Sequence, residues 1–140
     1  MKYEFLEHTA DQYIRAYGKT LEEAFANAGI ALFDTLTEVS KVNGNLETTI
    51  IVEEEDLEAL LYTYIEDLLV EWEISGILFS RILVRIYKRG DKYLLMAQAR
   101  GEMYNPEKHL TKVGVKAMTY CLINIEDTPP NVRVEFVVDI

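Results

Sequence analysis

The hydrophobic period of this chain changes at Gly76, and that change constrains the fold more than any other feature. Upstream, Leu57, Leu60, Leu61, Tyr64, Ile65, Leu68, Leu69 and Trp72 recur at i, i+3, i+4, while Glu58, Glu66, Asp67, Glu71 and Glu73 take the other side. Asp56 is placed to cap this helix and Gly76 to close it. Burying each large aliphatic of such a stripe is worth roughly 1.5–3 kcal/mol, so the helix must lie on a core. Downstream the period falls to two. Residues 80–88 and 92–100 read as a hairpin across Arg89-Gly90-Asp91, where glycine supplies the positive φ of a tight turn.

The remaining segments extend this pattern. Lys2 to Glu7 and Gln12 to Tyr17 read as strands joined by a polar turn, Glu7-His8-Thr9-Ala10-Asp11, and Gly18 ends the second. Thr20-Leu21-Glu22-Glu23 is a capping box, and Leu21, Ala24, Phe25, Ala28, Leu32 and Phe33 carry the helix behind it, which ends before Val39. Glu47 to Glu53 has a β-branched centre. Residues 101–109 are too polar and interrupted for regular structure. Val113 to Ile125 alternates throughout and predicts one long strand, which puts Cys121 on its apolar face as a small core residue. Val132 to Val138 predicts the last strand, with Asp139 on the parity of Arg133 and Glu135. These elements predict a single α+β domain over residues 1–140, two helices packed on a mixed, mainly antiparallel β-sheet.

Composition narrows the function. A formal net charge of −10 over 140 residues disfavours a domain that grips RNA or DNA alone, because phosphate neutralisation supplies most of that affinity. The same charge suits cations, a basic partner, or plain solubility. Arg81, Arg85 and Arg89 share one strand face, which reads as a solvated face rather than a phosphate site. One cysteine allows no internal disulfide, no apolar run approaches the ~20 residues of a membrane span, and Met1-Lys2-Tyr3-Glu4 opens no signal peptide. A cytoplasmic protein without a membrane partner is expected. Phosphate loops, dinucleotide fingerprints, paired zinc histidines and nucleophile elbows are all missing from the sequence, so no stand-alone enzyme is expected.

What remains are acids and histidines at strand ends. Asp11 ends the first turn and Asp139 precedes Ile140, so the two acids can meet if the first and last strands lie close in one sheet. An all-oxygen cluster selects hard cations, although two acids and a terminus need water or a partner to complete a shell; solvated acids are the plain alternative. His8 and His109 read equally as ligands, partner contacts or caps of their own turns. Lys116 either reaches solvent, pairs with an acid or serves function.

The residues resemble a known family. Glu7-His8-Thr9-Ala10-Asp11, Ile14-Arg15-Ala16-Tyr17-Gly18 and Thr20-Leu21-Glu22-Glu23-Ala24-Phe25 look like the opening of the archease family. Gly101-Glu102 with His109, Val115-Lys116-Ala117-Met118-Thr119-Tyr120 and Val138-Asp139-Ile140 look like its later signatures. The resemblance implies a protein cofactor for the tRNA-splicing ligase RtcB, one that promotes guanylylation and turnover of the ligase and broadens its nucleotide use. It implies a metal site at Asp11, Asp139 and Ile140, taking Ca²⁺ or another hard cation such as Mg²⁺ or Mn²⁺. It also implies that Lys116, with His8, Glu102 and His109, serves activation of the partner, and that no sequence-specific nucleic-acid binding is needed. The rival expectation is a general chaperone-like or solubilising binder with no need of metal. Gln12-Tyr13, Asn105 and Cys121 depart from the family pattern.

Overall fold

The computed structural model describes residues 1–6 and 11–140. Two helices, α1 (Leu21–Leu36) and α2 (Leu57–Ser75), alternate with strands β1 (Tyr3–Leu6), β2 (Asp11–Gly18), β3 (Leu46–Glu54), β4 (Ile77–Arg89), β5 (Lys92–Met103), β6 (Ala117–Met118), β7 (Asn124–Glu126) and β8 (Val132–Asp139). A single 3₁₀ turn covers Val39–Lys41. The α+β class and both helices agree with the sequence expectation. The sheet divides in two, however. One runs β1-β2-β8-β6, with β7 also on β8, and the other runs β3-β5-β4; every described pairing is antiparallel.

The helices form a layer between the sheets. α1 packs on β1, β2 and β8 on one side and on β4 on the other, while α2 packs on β3, β4 and β5 and reaches β6 and β7. That position explains the composition of α1: Ala24, Ala28 and Ala31 are small enough for close approach, and Phe25, Leu32 and Phe33 fill the gaps between layers. Phe25 stacks on Tyr64 of α2, whose hydroxyl donates to the Phe25 carbonyl at 2.9 Å.

Local chemistry sets the element boundaries. Thr20 accepts from the Glu23 amide at 3.1 Å and Asp56 from the Ala59 amide at 2.7 Å, which satisfies otherwise orphaned donors at each helix start. Gly76 ends α2 in the left-handed region at φ 73°, a conformation glycine adopts without a Cβ clash. The β4–β5 register shifts between Phe79 and Arg81, and a Cβ on Gly101 would lie 1.7 Å from the Leu78 carbonyl oxygen. Only glycine fits there.

Two sequence expectations fail. Residues 101–103 continue β5, so the irregular segment starts later, at Tyr104. Val113 to Ile125 is not one strand: only β6 and β7 pair, each briefly, on the edge of β8. Its alternation was misleading because burial there follows no single parity, with Val115 and Met118 inside and Val113 and Ala117 outside. Cys121 is exposed rather than part of the core. The expected turn over residues 7–11 lies mostly outside the described residues.

Candidate functional site

The first and last strands lie in one sheet with β2 between them, and it is β2 that neighbours β8. β2 and β8 pair antiparallel with Asp11 opposite Asp139, Tyr13 opposite Val137 and Arg15 opposite Glu135. The expectation that the two acids share one end of one sheet is met by the backbone register, which sets directly opposed Cβ atoms about 4.5–5.5 Å apart. Both residues are half-buried. Two acids directly opposite one another put carboxylate oxygens where one cation could meet both.

The segment after β5 supplies the third side. The Lys116 amide donates to the Asp139 carbonyl at 2.7 Å, and Ala117 lies opposite Asp139 in register. The Lys116 side chain is exposed, and no ion pair holds it among the described residues. It therefore reaches solvent beside the acids. Four residues earlier, the Lys112 and Val113 amides donate to the Leu36 and Thr35 carbonyls at the end of α1. The end of α1 therefore lies near Asp11 and Asp139.

Oxygen donors of this kind fit a hard divalent cation. Asp11 and Asp139 supply carboxylates, and Ile140 supplies main-chain oxygens next to Asp139. Among the described residues no group of three or more His, Cys, Asp and Glu converges, so Asp11 and Asp139 form a pair that needs Ile140 and further oxygens to complete a shell. His8 lies outside the described residues.

Glu102 and His109 form a second cluster. Glu102 Oε1 receives three donors: Lys108 Nζ at 2.6 Å, His109 Nε2 at 2.7 Å and the Asn43 amide at 3.1 Å. Desolvation alone would raise this carboxyl, but the three donors outweigh it and hold its pKa down at about 2. His109 is 3% exposed, and its Nδ1 accepts the Asn105 amide at 2.9 Å. With Nδ1 accepting, Nε2 carries the proton it gives to Glu102. Asn105 organises the turn: its carbonyl accepts from the Lys108 and His109 amides and its Oδ1 accepts from the Glu107 amide. An acid at 105 would accept that last bond equally well, so this departure is chemically mild. Tyr104 stacks on His109 and meets Trp72 edge to face, which ties the turn to the end of α2. An open cavity of about 490 Å³ lies against the cluster, between Asn45 and Lys108.

Sequence reasoning missed a third group, on the same sheet face as the acid pair. Glu135 is buried and accepts from Tyr13 Oη at 2.6 Å and Arg15 Nη2 at 3.4 Å, while Arg133 Nε lies 3.2 Å from its other oxygen. Desolvation pushes this carboxyl up, and the Tyr13 and Arg15 partners bring it below its ordinary range. Tyr13, the other family departure, thus holds Glu135, two positions along the strand from Asp11. Strand parity puts 13 with 15 and 133 with 135, and the β2–β8 register then brings the two pairs onto one face.

Comparison with known proteins shows the family and the fold. The Archease protein family (MTH1598/TM1083) matches residues 3–140. The protein archease of Thermococcus kodakarensis is 49% identical over 91% of this chain and 90% of its own, and that of Sulfurisphaera tokodaii is 44% identical over 99% of each. The solution structure of Methanobacterium thermoautotrophicum protein 1598 superposes with a TM-score of 0.87 at 34% identity, covering 99% of this chain and 98% of its own. On the family match across nearly its whole length, and on relatives that share close to half its residues, this chain belongs to the archease family.

Proposed function

We propose that this protein activates an RtcB-type tRNA-splicing ligase in the cytoplasm, promoting guanylylation of the ligase and its multiple turnover. The observation that carries the reading is the register that sets Asp11 opposite Asp139, with the Lys116 amide bonded to the Asp139 carbonyl. No other described place on the chain sets two carboxylates of adjacent strands opposite one another at the end of a sheet beside an exposed lysine.

Asp11, Asp139 and the oxygens of Ile140 would hold a hard divalent cation, Ca²⁺ by the family pattern, with Mg²⁺ and Mn²⁺ as the other oxygen-seeking candidates. Bound there, such a cation supplies positive charge for phosphate oxygens of a nucleotide. The chain's own residues then have defined tasks. The acids fix the cation's position on two hydrogen-bonded strands, and Lys116 adds a movable positive charge beside them. Glu102 and His109 hold the segment that delivers Lys116. The ligase keeps its own nucleophile. A chain of net charge −10 is also suited to docking on a basic, RNA-handling partner rather than on RNA.

The test is a multiple-turnover ligation assay with a purified RtcB-type ligase, with and without this protein. Turnover is expected to rise, and to fall again when the cation is chelated. An unchanged rate at saturating protein would overturn the proposal. Asp11→Ala separates activation from passive solubilisation, because a chaperone-like binder would be indifferent to it.

A further inference from the structure

The edge of the first sheet carries a built protrusion. Met118 lies opposite Val138, and pairing resumes at Asn124 opposite Glu135. Residues 119–123 therefore face only 136 and 137, and the surplus chain bulges outward. It is not slack. Thr119 Oγ1 donates to the Val137 carbonyl at 2.7 Å and accepts from the Cys121 amide at 3.2 Å, which closes the base of the bulge. Tyr120 lies flat on Tyr62 of α2, with ring centroids 4.1 Å apart and planes 4° apart.

Its tip is apolar and strained. Leu122 adopts φ 55°, the left-handed region that a leucine Cβ disfavours, yet its side chain is 51% exposed and recovers little burial in return. Tyr120 is 59% exposed on the face away from Tyr62. The surroundings are acidic. Desolvation first, then Tyr62, Glu54, Asp56 and Glu66, push the Tyr120 phenol up, so all three carboxylates act on the ring. The bulge begins two residues after Ala117, the register partner of Asp139.

We infer that this bulge is a docking knob for the ligase, with Tyr120 and Leu122 entering an apolar pocket of the partner whose rim is basic. Charge complementarity chooses that occupant: an apolar tip on an acidic flank, with Glu54, Asp56 and Glu66 acting on Tyr120 and a net charge of −10 on the chain, fits a cation-rimmed pocket, the surface expected of an RNA-handling enzyme, and repels another copy of this chain. The inference rests on the ligase reading above. A pre-shaped knob also explains the strain at Leu122, since the conformation presented to the partner is held before contact.

The experiment titrates wild type, Leu122→Gly, Tyr120→Ser and Asp11→Ala against a purified RtcB-type ligase, reading affinity by calorimetry and activation by turnover. Leu122→Gly suits the left-handed backbone and removes the apolar tip, so its thermal midpoint should hold or rise. Leu122→Gly and Tyr120→Ser should each raise the half-saturating concentration tenfold or more while leaving the maximal rate unchanged. Asp11→Ala should do the reverse. Wild-type affinity in both bulge variants, with wild type still activating, would overturn the knob and leave the ligase reading standing. Failure of wild type to bind or activate would overturn the ligase reading, and the knob with it. Wild-type self-association that Leu122→Gly abolishes would show that a second copy is the occupant and overturn the inference.

Discussion

Two acidic clusters flank the segment that follows β5, and they are built on opposite principles. Glu102 is a carboxylate with its charge fully answered: three donors converge on one oxygen, and a buried histidine of fixed tautomer is one of them. Asp11 and Asp139 are two carboxylates set opposite each other across a ladder, an arrangement that gathers negative charge at one end of the sheet. The first cluster holds the chain in shape; the second is suited to recruit something positive. Charge alone did not separate them, because both were simply acids in the sequence. Placement in the ladders does: Asp11 and Asp139 lie opposite each other, whereas Glu102 lies opposite Leu78.

That contrast can be broken from either side. The largest expected effect is on stability at Glu102. A pKa held at about 2 against an ordinary 4.5 corresponds to about 3 kcal/mol, present in full above pH 4.5 and lost as the pH falls towards 2. Glu102→Gln should therefore be less stable than wild type by about that amount at pH 7 in denaturant unfolding. The gap should close progressively between pH 4.5 and 2. A gap that persists unchanged at pH 2 would mean that Glu102 acts through packing rather than charge.

Asp11→Ala should show the opposite profile. Ligase activation falls by roughly 10- to 100-fold, as for other changes at a metal centre, while the chain stays folded and the unfolding midpoint holds. A clear loss of stability would place Asp11 with Glu102 among the structural acids. Lys116→Met is the next smaller. An exposed cation acting through solvent is worth about 1 kcal/mol, so activation should fall by roughly fivefold, and less at high salt. The smallest effect is Lys108→Ala. Its ammonium is partly solvent-exposed, so removing it should lower stability by no more than about 1 kcal/mol, with His109 still bonded to Glu102.

Much of this was legible in the sequence where one physical rule acted alone. The caps Thr20 and Asp56, the αL glycine after α2 and the hairpin at Gly90 each depend on local chemistry, and each stands where the pattern put it. The meeting of Asp11 and Asp139 required one further condition, adjacency of β2 and β8, which composition and periodicity do not contain. Residues 113–125 failed for a different reason. Alternation assumes a ladder on both sides, but here the backbone bonds first to the carbonyls of α1 and then, intermittently, to one edge of β8. Val115 and Met118 are buried by loops and helices rather than by strand parity. The Glu102–His109 pair escaped for a similar reason: its seven-residue separation carries no periodic signal, and Asn105 closes the distance through a turn.

The bonds from Lys112 and Val113 to the end of α1, and from Lys116 to Asp139, have a consequence for cooperativity. One short stretch of chain closes a helix in the middle layer and then backs the acid-bearing strand, so neither end can open without loosening the other. The amide protons of Lys112, Val113 and Lys116 should exchange with solvent as one unit, with a common opening free energy. Anything that tightens on Asp139 should slow exchange at the terminus of α1 as well, which makes the helix end a remote reporter of occupancy.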